Sequence, residues 1–263
     1  MHLGTKRSTW IWLGLVVLLL GQIAWTADPA RAGAMQGSSL HRFSRGSMVS
    51  DAVVLWDQPV ASSGRAALSQ DLMQAYNYYD AFSADDFTND EPWVIKTIFV
   101  PGNTWSEGCD LTCADTLHWA IYADDSGKPD GDPSGGGNQP AWQVSVPPTD
   151  TQVTLSTGIG GRLSDITLDL MTPVSLEPGT WWLVTHADLS YDICGCNYGP
   201  RVADTTNGHA AQIINPGGGW GIPTTWTSVQ DPTTLGLEEH DLAFRLEAQG
   251  VQYVYLPLMV SGP

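Results

Sequence analysis

Short runs of β-branched and aromatic residues, separated by turn residues, make up most of the chain, and no long segment keeps a helical repeat. Such runs, bounded by glycine, proline and aspartate, predict β-strands. The 28 glycines and 17 prolines supply the turns, and many of the 12 tryptophans supply bulky packing groups. The segments that carry the strand pattern are Ala52–Trp56, Trp93–Val100, Thr116–Ala123, Ala141–Val146, Ile166–Leu170, Trp181–His186, Ala210–Ile214 and Leu242–Leu246.

About eight to ten strands at this spacing predict an all-β fold over residues 51–249. We expect one antiparallel β-sandwich, jelly-roll-like, because roughly 200 residues bury a core of sufficient size. Only Gln70–Asp80, through the spacing of Leu72, Tyr76 and Tyr79, suggests a short helix. No repeat of 20 to 50 residues is present, which argues against a propeller or solenoid.

The amino-terminal segment has the pattern of a secretory signal peptide. Lys6 and Arg7 precede an uncharged apolar run over residues 10–20, and small residues with A-x-A spacing follow up to Ala34. The alternative is a membrane anchor, but the run is shorter than the roughly 20 residues that a spanning helix needs. We therefore predict a signal peptide over residues 1–34, a flexible leader over 35–50, and a secreted or cell-surface protein without a membrane span after cleavage.

The last segment, residues 250–263, is apolar and contains Pro257. Proline cannot donate to a central ladder, so the segment suits an edge strand of its own sheet. It equally suits a tail that adds to the sheet of a protein partner. The sequence leaves both interpretations open.

The charge of the chain excludes some classes of partner. The formal net charge is −17, from 11 basic and 28 acidic residues. So many carboxylates repel a phosphate backbone and an anionic membrane surface. General nucleic-acid binding is therefore not expected.

Four cysteines occur as two close pairs, Cys109 with Cys113 and Cys194 with Cys196. Export and the even count favour disulfides. A Cys194–Cys196 bridge would close a very tight ring, so two bridges between the two loops are favoured over it, with their connectivity open. The alternative, a zinc site with four thiolates, fits the spacing poorly.

Six segments occur in an order that resembles a known pattern: Ala84–Phe87, Trp93–Ile95, Ile121–Asp124, Leu176–Trp182, Asn215–Trp220 and Asp241–Leu246. The string resembles an uncharacterised β-sandwich domain of exported bacterial surface proteins. Tyr255–Leu258 is similar to the ending of many exported proteins from one group of filamentous bacteria. The resemblance covers about residues 52–248 and implies a secreted, surface-associated, non-catalytic module, with no known substrate or catalytic residue.

Aromatic residues in or beside the predicted loops form the candidate binding site: Trp105, Trp142, Tyr191, Tyr198, Trp220 and Trp226. Aromatic faces stack on sugar rings, and the neighbouring Asp and Asn residues suit sugar hydroxyls, so the expected partner is a polysaccharide. The alternative is that these rings pack in the interior, as tryptophans commonly do.

A structural calcium ion is the one cofactor that the sequence suggests. Asp85 and Asp86 begin an early strand and Asp241 begins the last one, so the three carboxylates meet if those strands are neighbours. The alternative is that Asp serves turns through its side-chain hydrogen bonds. His118 and His186 lie within apolar strand patterns and are interpreted as satisfied core or sheet-surface histidines.

No hydrolase, metalloprotease or nucleotide-binding motif is present. We therefore predict no enzymatic activity and a module that binds carbohydrate or matrix. The second hypothesis is a structural or assembly module that docks through the carboxyl-terminal tail. The distant third is a secreted hydrolase, because a Ser-His-Asp triad is recognised by geometry and not by order in the sequence.

Overall fold

The computed structural model describes residues 52–106 and 108–250. The predicted signal peptide, the leader and nearly all of the apolar tail lie outside these residues. The strands are β1 Val53–Gln58, β2 Gln70–Leu72, β3 Phe82–Asn89, β4 Trp93–Val100, β5 Gly102–Trp105, β6 Thr116–Ala123, β7 Trp142–Val146, β8 Val153–Thr157, β9 Leu163–Leu176, β10 Gly179–Leu189, β11 Asn197–Pro200, β12 Gln212–Ile214, β13 Thr227–Ser228 and β14 Phe244–Ala248. Helix α1 is Tyr191–Cys194, and 3₁₀ turns cover Gln74–Tyr79, Leu111–Cys113 and Ile159–Gly161.

Two sheets contain most of the strands. The first has the order β1-β14-β4-β9-β8, and the second has the order β13-β12-β3-β10-β6-β7, with β2 beside β10. All pairings are antiparallel except that of β2 with β10. The chain crosses between the sheets from β3 to β4, from β7 to β8 and from β9 to β10, as in a jelly roll. The predicted all-β antiparallel sandwich is confirmed, with more strands than expected.

Alternating side chains of both sheets build the core. On β4, Ile98 and Val100 are buried while Phe99 between them is partly exposed, and a register shift between Ile95 and Thr97 keeps Ile95 on the same inner face. Residues from β4, β6, β9, β10 and β14 join in one buried cluster that includes Trp119. Period-two burial of this kind is what a strand with one face toward the core requires.

The second sheet is also covered on its outer face. Phe82, Trp182 and Ile214 form a separate buried cluster there, against which Trp226 packs. Seven of the eight residues of β3 are therefore buried, and the usual alternation disappears. Outer-face residues near this cluster, such as Asp86 and His186, consequently lie in an enclosed environment even though they are polar.

The segment predicted as a short helix has a different structure. Gln70–Leu72 is strand β2, and only Gln74–Tyr79 winds, as a 3₁₀ turn. Parallel pairing of β2 with β10 fixes the first three residues in extended form, which overrides the weak helical spacing. In the part of the chain that the structure describes, no helix has the length and apolar character to cross a bilayer.

Candidate functional site

An aromatic cleft of about 290 Å³ lies at one side of the sandwich. Its lining residues are Leu72, Tyr76, Tyr79, Tyr191, Asn197 and Trp220. They come from β2, the first 3₁₀ turn, α1, β11 and the loop after β12. Two of the six aromatic residues predicted from the sequence, Tyr191 and Trp220, are among them.

The 3₁₀ turn Gln74–Tyr79 supplies two of the walls. A 3₁₀ helix has three residues per turn, so side chains at i and i+3 point the same way. Tyr76 and Tyr79 have this spacing and both line the cleft. In the sequence their spacing suggests only a short helix, and nothing there marks them as part of a binding site.

The glycine-rich loop after β12 holds Trp220 against this turn. Asn215 Nδ2 donates to the carbonyls of Tyr78 (3.0 Å) and Asp80 (2.6 Å), and its Oδ1 accepts from Trp220 N at 2.9 Å. Trp220 Nε1 donates to the Tyr79 carbonyl at 2.5 Å. The ring centroids of Tyr79 and Trp220 are consequently 5.1 Å apart.

Glycine is required in this loop because the backbones approach so closely. A Cβ atom on Gly217 would lie 2.2 Å from Tyr78 Cα, and one on Gly219 would lie 2.6 Å from the Tyr78 carbonyl oxygen. Gly219 N also donates to that carbonyl at 2.8 Å. The Gly217–Gly219 run therefore serves to seat Trp220, and no ligand phosphate needs to be invoked.

Helix α1 places Tyr191 on the opposite wall. Its ring centroid is 5.6 Å from that of Tyr76, and the Asp192 carboxylate lies 3.5 Å from the Tyr76 hydroxyl. Cys194, at the end of the helix, is bonded to Cys113, which fixes the helix to the preceding loop. Tyr191 keeps 42% of its surface exposed and Trp220 keeps 40%, so both rings are accessible.

A polar group with a fixed orientation lies between the aromatic walls. Asn197 Oδ1 accepts from Gln70 Nε2 at 2.8 Å, and Gln70 itself is buried. Because one end of the Asn197 amide is held, the amide is oriented before any ligand arrives. The cleft thus combines aromatic faces with a positioned hydrogen-bonding group.

The other four predicted aromatics do not line this cleft. Tyr198 has no exposed surface and belongs to the sandwich core, so its assignment to a ligand site is wrong. Trp142 packs against the same core from β7. Trp226 packs on the outer face of the second sheet and donates to the Gly131 carbonyl at 2.9 Å. Trp105 lies half-buried in β5, opposite Asn197.

The two cysteine loops are joined by two disulfides, Cys109–Cys196 and Cys113–Cys194, with Cα–Cα distances of 6.1 and 5.7 Å. The predicted disulfides between the loops are confirmed, and their connectivity is settled. The two bridges use all four sulfur atoms, which favours disulfides over the zinc alternative.

The three carboxylates proposed for calcium only partly come together. Gln58 Nε2 donates to Oδ2 of Asp85 at 3.1 Å and to Oδ2 of Asp241 at 3.2 Å. Asp86 faces the other side of β3, where it accepts from His209 N at 3.0 Å. Within the described chain, these residues do not bring three ligand atoms within 4.8 Å of one another. They therefore do not form the single ligand set that the sequence suggested.

Burial affects the protonation of Asp85 in this group. Asp85 and Asp241 are buried at the end of the sandwich, although β3 and β14 lie in different sheets. Burial, and next the neighbouring Asp241, raise the pKa of Asp85 well above its ordinary value. Burial of Asp85 therefore favours its neutral form, which can lie beside a second carboxylate without repulsion between two charges.

Two histidines lie side by side on the outer face of the second sheet. The rings of His118 and His186 stack with their centroids 4.4 Å apart, and Asp188 lies 2.9 Å from His118 Nε2. Burial, and next His118, hold the pKa of His186 well below its ordinary value, which keeps that ring neutral. Nδ1 of His186 is buried and makes no hydrogen bond to the described residues, whereas His118 contacts Ser145 and Asp188.

Comparison of this chain with protein-family models, with curated protein sequences and with solved structures finds no match. The function therefore has to be argued from the aromatic cleft and the sequence.

Proposed function

We propose that the protein is an exported, non-catalytic β-sandwich that binds polysaccharide through the aromatic cleft. The observation that carries this proposal is the convergence of four rings, those of Tyr76, Tyr79, Tyr191 and Trp220, on one open cavity. Aromatic side chains usually pack in the interior of a protein. Four of them around one open cleft therefore favour a binding site.

The chemistry of the cleft suits sugar rings. Aromatic faces pack against the apolar C–H faces of a sugar, and polar groups at the edges hydrogen bond to its hydroxyls. Asn197, the Tyr76 hydroxyl and the Asp192 carboxylate are such groups. A volume near 290 Å³ is at the lower end of the range for small-ligand sites, which suits a short stretch of a sugar chain.

The negative charge of the protein favours a neutral polysaccharide over an acidic one. A net charge of −17 repels sulfated and uronic-acid polymers over a long range, whereas a neutral polymer feels no such repulsion. The proposed ligand is therefore a neutral polysaccharide of a cell surface or matrix. The signal-like amino terminus, the two disulfides and the resemblance to exported surface proteins support placement outside the cell.

The test is depletion of the protein from solution by insoluble neutral polysaccharides, compared with acidic ones. We expect binding to neutral matrices that survives high salt, because stacking does not depend on charge. Trp220→Ala and Tyr191→Ala should each weaken binding roughly five- to tenfold, the loss expected for one stacked ring. Trp220→Phe keeps a ring and should retain most of the affinity.

Trp105→Ala is the matched control, since it removes a tryptophan outside the cleft and should leave binding unchanged. Circular dichroism and thermal melting establish that each variant is folded. Failure of the wild-type protein to bind any neutral matrix would contradict the proposal, as would equal losses in Trp105→Ala and Trp220→Ala.

A further inference from the structure

Three strands of the second sheet bring a set of metal-ligating side chains to its outer face. In the strand register, His118 of β6 lies opposite His186 of β10 and opposite Ser145 of β7. Asp188 is two residues beyond His186 and therefore points to the same face of the sheet. The three side chains of His118, His186 and Asp188 meet beside a second cavity, of about 190 Å³.

The three side chains are close enough to reach one metal ion once one of the rings turns. One nitrogen from each ring and one oxygen of Asp188 all lie within 4.8 Å of one another. His118 Nε2 is 2.9 Å from Asp188 Oδ2, yet these two atoms do not have hydrogen-bond geometry. Two ligand atoms that share a zinc ion at about 2.0 to 2.1 Å each are themselves roughly 3 Å apart.

Several polar atoms of the group have no hydrogen-bond partner. Among the described residues, His118 Nε2, His186 Nδ1 and Asp188 Oδ1 are all buried and unpartnered. His186 is only 7% exposed, so bulk water does not satisfy its ring. Unpartnered buried polar atoms are costly and rare, and three in one place require an explanation.

The surroundings favour a cation. Asp71 pairs with Asp188 across β2 and β10, and Asp132 also lines the cavity. Neither lysine nor arginine lines it among the described residues. Ser145 Oγ is 2.7 Å from His118 Nδ1, which is the hydrogen bond to the second ring nitrogen that orients a metal-bound imidazole.

We propose that His118, His186 and Asp188 form a binding site for one Zn²⁺ ion. Two imidazoles and one carboxylate are a ligand set that zinc prefers, and it leaves a fourth position open. That position faces the 190 Å³ cavity, where Tyr122 and Gln143 are the nearby polar side chains. The site is separate from the aromatic cleft and does not depend on the proposed function.

Metal binding requires one of the stacked rings to turn. The two imidazole planes are 3° from parallel, and a shared ion needs the lone pairs of both rings to converge. His186 is fixed between His118 and Phe82, whose ring centroid is 4.9 Å away. His118 is partly exposed, so it is the ring with room to turn, and the exposed Ser145 side chain has to turn with it to keep the hydrogen bond to Nδ1.

The test uses untagged protein, treated with EDTA and kept under oxidising conditions so that no thiol competes. Isothermal titration with ZnCl₂ should give one ion per chain, and zinc should raise the melting temperature relative to EDTA. Titration with Co²⁺ should give the visible absorption bands of a four-coordinate ion. His118→Asn and Asp188→Asn should each weaken zinc binding at least tenfold.

His240→Asn is the matched control, because His240 is paired with a carboxylate, Asp241, but has no second histidine beside it. It should bind zinc as the wild type does. Melting in EDTA shows whether each variant is folded, and Asp188→Asn carries the test if a histidine variant is not. The proposal is overturned if wild-type protein binds no zinc, or if the two variants bind it with unchanged affinity. Ester hydrolysis lost in Ser145→Ala, without zinc binding, would also overturn it in favour of a Ser-His-Asp triad.

Discussion

At the scale of single residues, Asp80 connects protonation to the shape of the aromatic cleft. Its Oδ1 accepts from the backbone N–H of Leu72 at 2.7 Å, and Leu72 forms part of the cleft floor. Burial, helped by the nearby Asp71 and Asp188 and opposed by that hydrogen bond, raises the pKa of Asp80 to about 7. The folded protein thus holds this proton more tightly than the unfolded chain does.

The sign of the resulting pH dependence follows from linkage. The stability that Asp80 contributes is complete below its unfolded pKa, near 4, and is lost as the pH rises through about 7. Asp80→Asn keeps an acceptor oxygen but removes the charge. We therefore expect the variant to gain about 1–2 kcal/mol relative to wild type between pH 4 and pH 8, since partial solvation screens part of the effect.

The measurement is urea denaturation of both proteins at pH 4, 6 and 8 in EDTA. Asp231→Asn is the control with the opposite sign, because hydrogen bonds from Thr233 lower the pKa of Asp231. Its contribution is present at neutral pH and is lost on acidification. A difference between Asp80→Asn and wild type that does not change with pH would refute this assignment.

At the scale of elements, the sequence predicts strands well where apolar residues predominate and poorly where carboxylates occupy the strand. The bounds of β4 and β6 match the predicted segments to the residue, because β-branched and aromatic side chains alternate there. The bounds of β3 were not predicted, and Asp85 and Asp86, expected to begin an early strand, lie in its middle. Both carboxylates are buried only because Gln58 and His209 come from distant parts of the chain, which no local pattern reveals.

Only part of the aromatic cleft could be predicted from the sequence, because its residues come from distant segments of the chain. Tyr191 and Trp220 are loop aromatics, so their type and position indicated binding. Tyr76 and Tyr79 lie in a segment that the pattern assigned to a helix, and their common direction depends on 3₁₀ winding. Only the packing of Gly217–Gly219 onto Tyr78 brings these groups together, and a run of three glycines was the one signal of such a close approach.

The close packing of Gly219 on Tyr78 predicts that a larger residue at position 219 displaces the loop. In Gly219→Ala, the new Cβ would lie 2.6 Å from the Tyr78 carbonyl oxygen and 2.7 Å from the Tyr79 ring, so the loop must shift. We expect a loss of about 1–3 kcal/mol in the free energy of unfolding. Trp220 follows Gly219 directly, so binding to neutral polysaccharide should fall as in Trp220→Ala.

Gly218→Ala separates this effect from simple backbone strain. Gly218 has φ of +72°, but the nearest atom to its Cβ position is Thr224 Cγ2, at 3.7 Å. The substitution should cost about 1 kcal/mol through the left-handed conformation alone. Unfolding and depletion experiments on both variants are the check. Normal polysaccharide binding by Gly219→Ala would show that the loop does not position Trp220.

At the scale of the whole molecule, the two disulfides connect the stability of the sandwich to the geometry of the cleft. Cys109–Cys196 and Cys113–Cys194 join residues 87 and 81 positions apart, so both restrict the unfolded chain strongly. The two bridges differ in their position relative to the cleft. Cys194 ends helix α1, which carries Tyr191 into the cleft, whereas Cys196 precedes β11 and is completely buried.

Replacing both cysteines of one bridge by serine should therefore have one effect that is common to the two bridges and one that differs between them. Removing either bridge should lower the free energy of unfolding by about 2–4 kcal/mol, because the loops are of similar length. Cys113→Ser with Cys194→Ser should also weaken polysaccharide binding, since a four-residue helix without its anchor does not hold Tyr191 in place. Cys109→Ser with Cys196→Ser should bind more nearly as wild type does, because the remaining bridge still holds α1.

The two effects are measured by denaturation and by polysaccharide depletion, at a temperature where both variants are folded. Equal binding by the two variants would mean that α1 is positioned by packing alone.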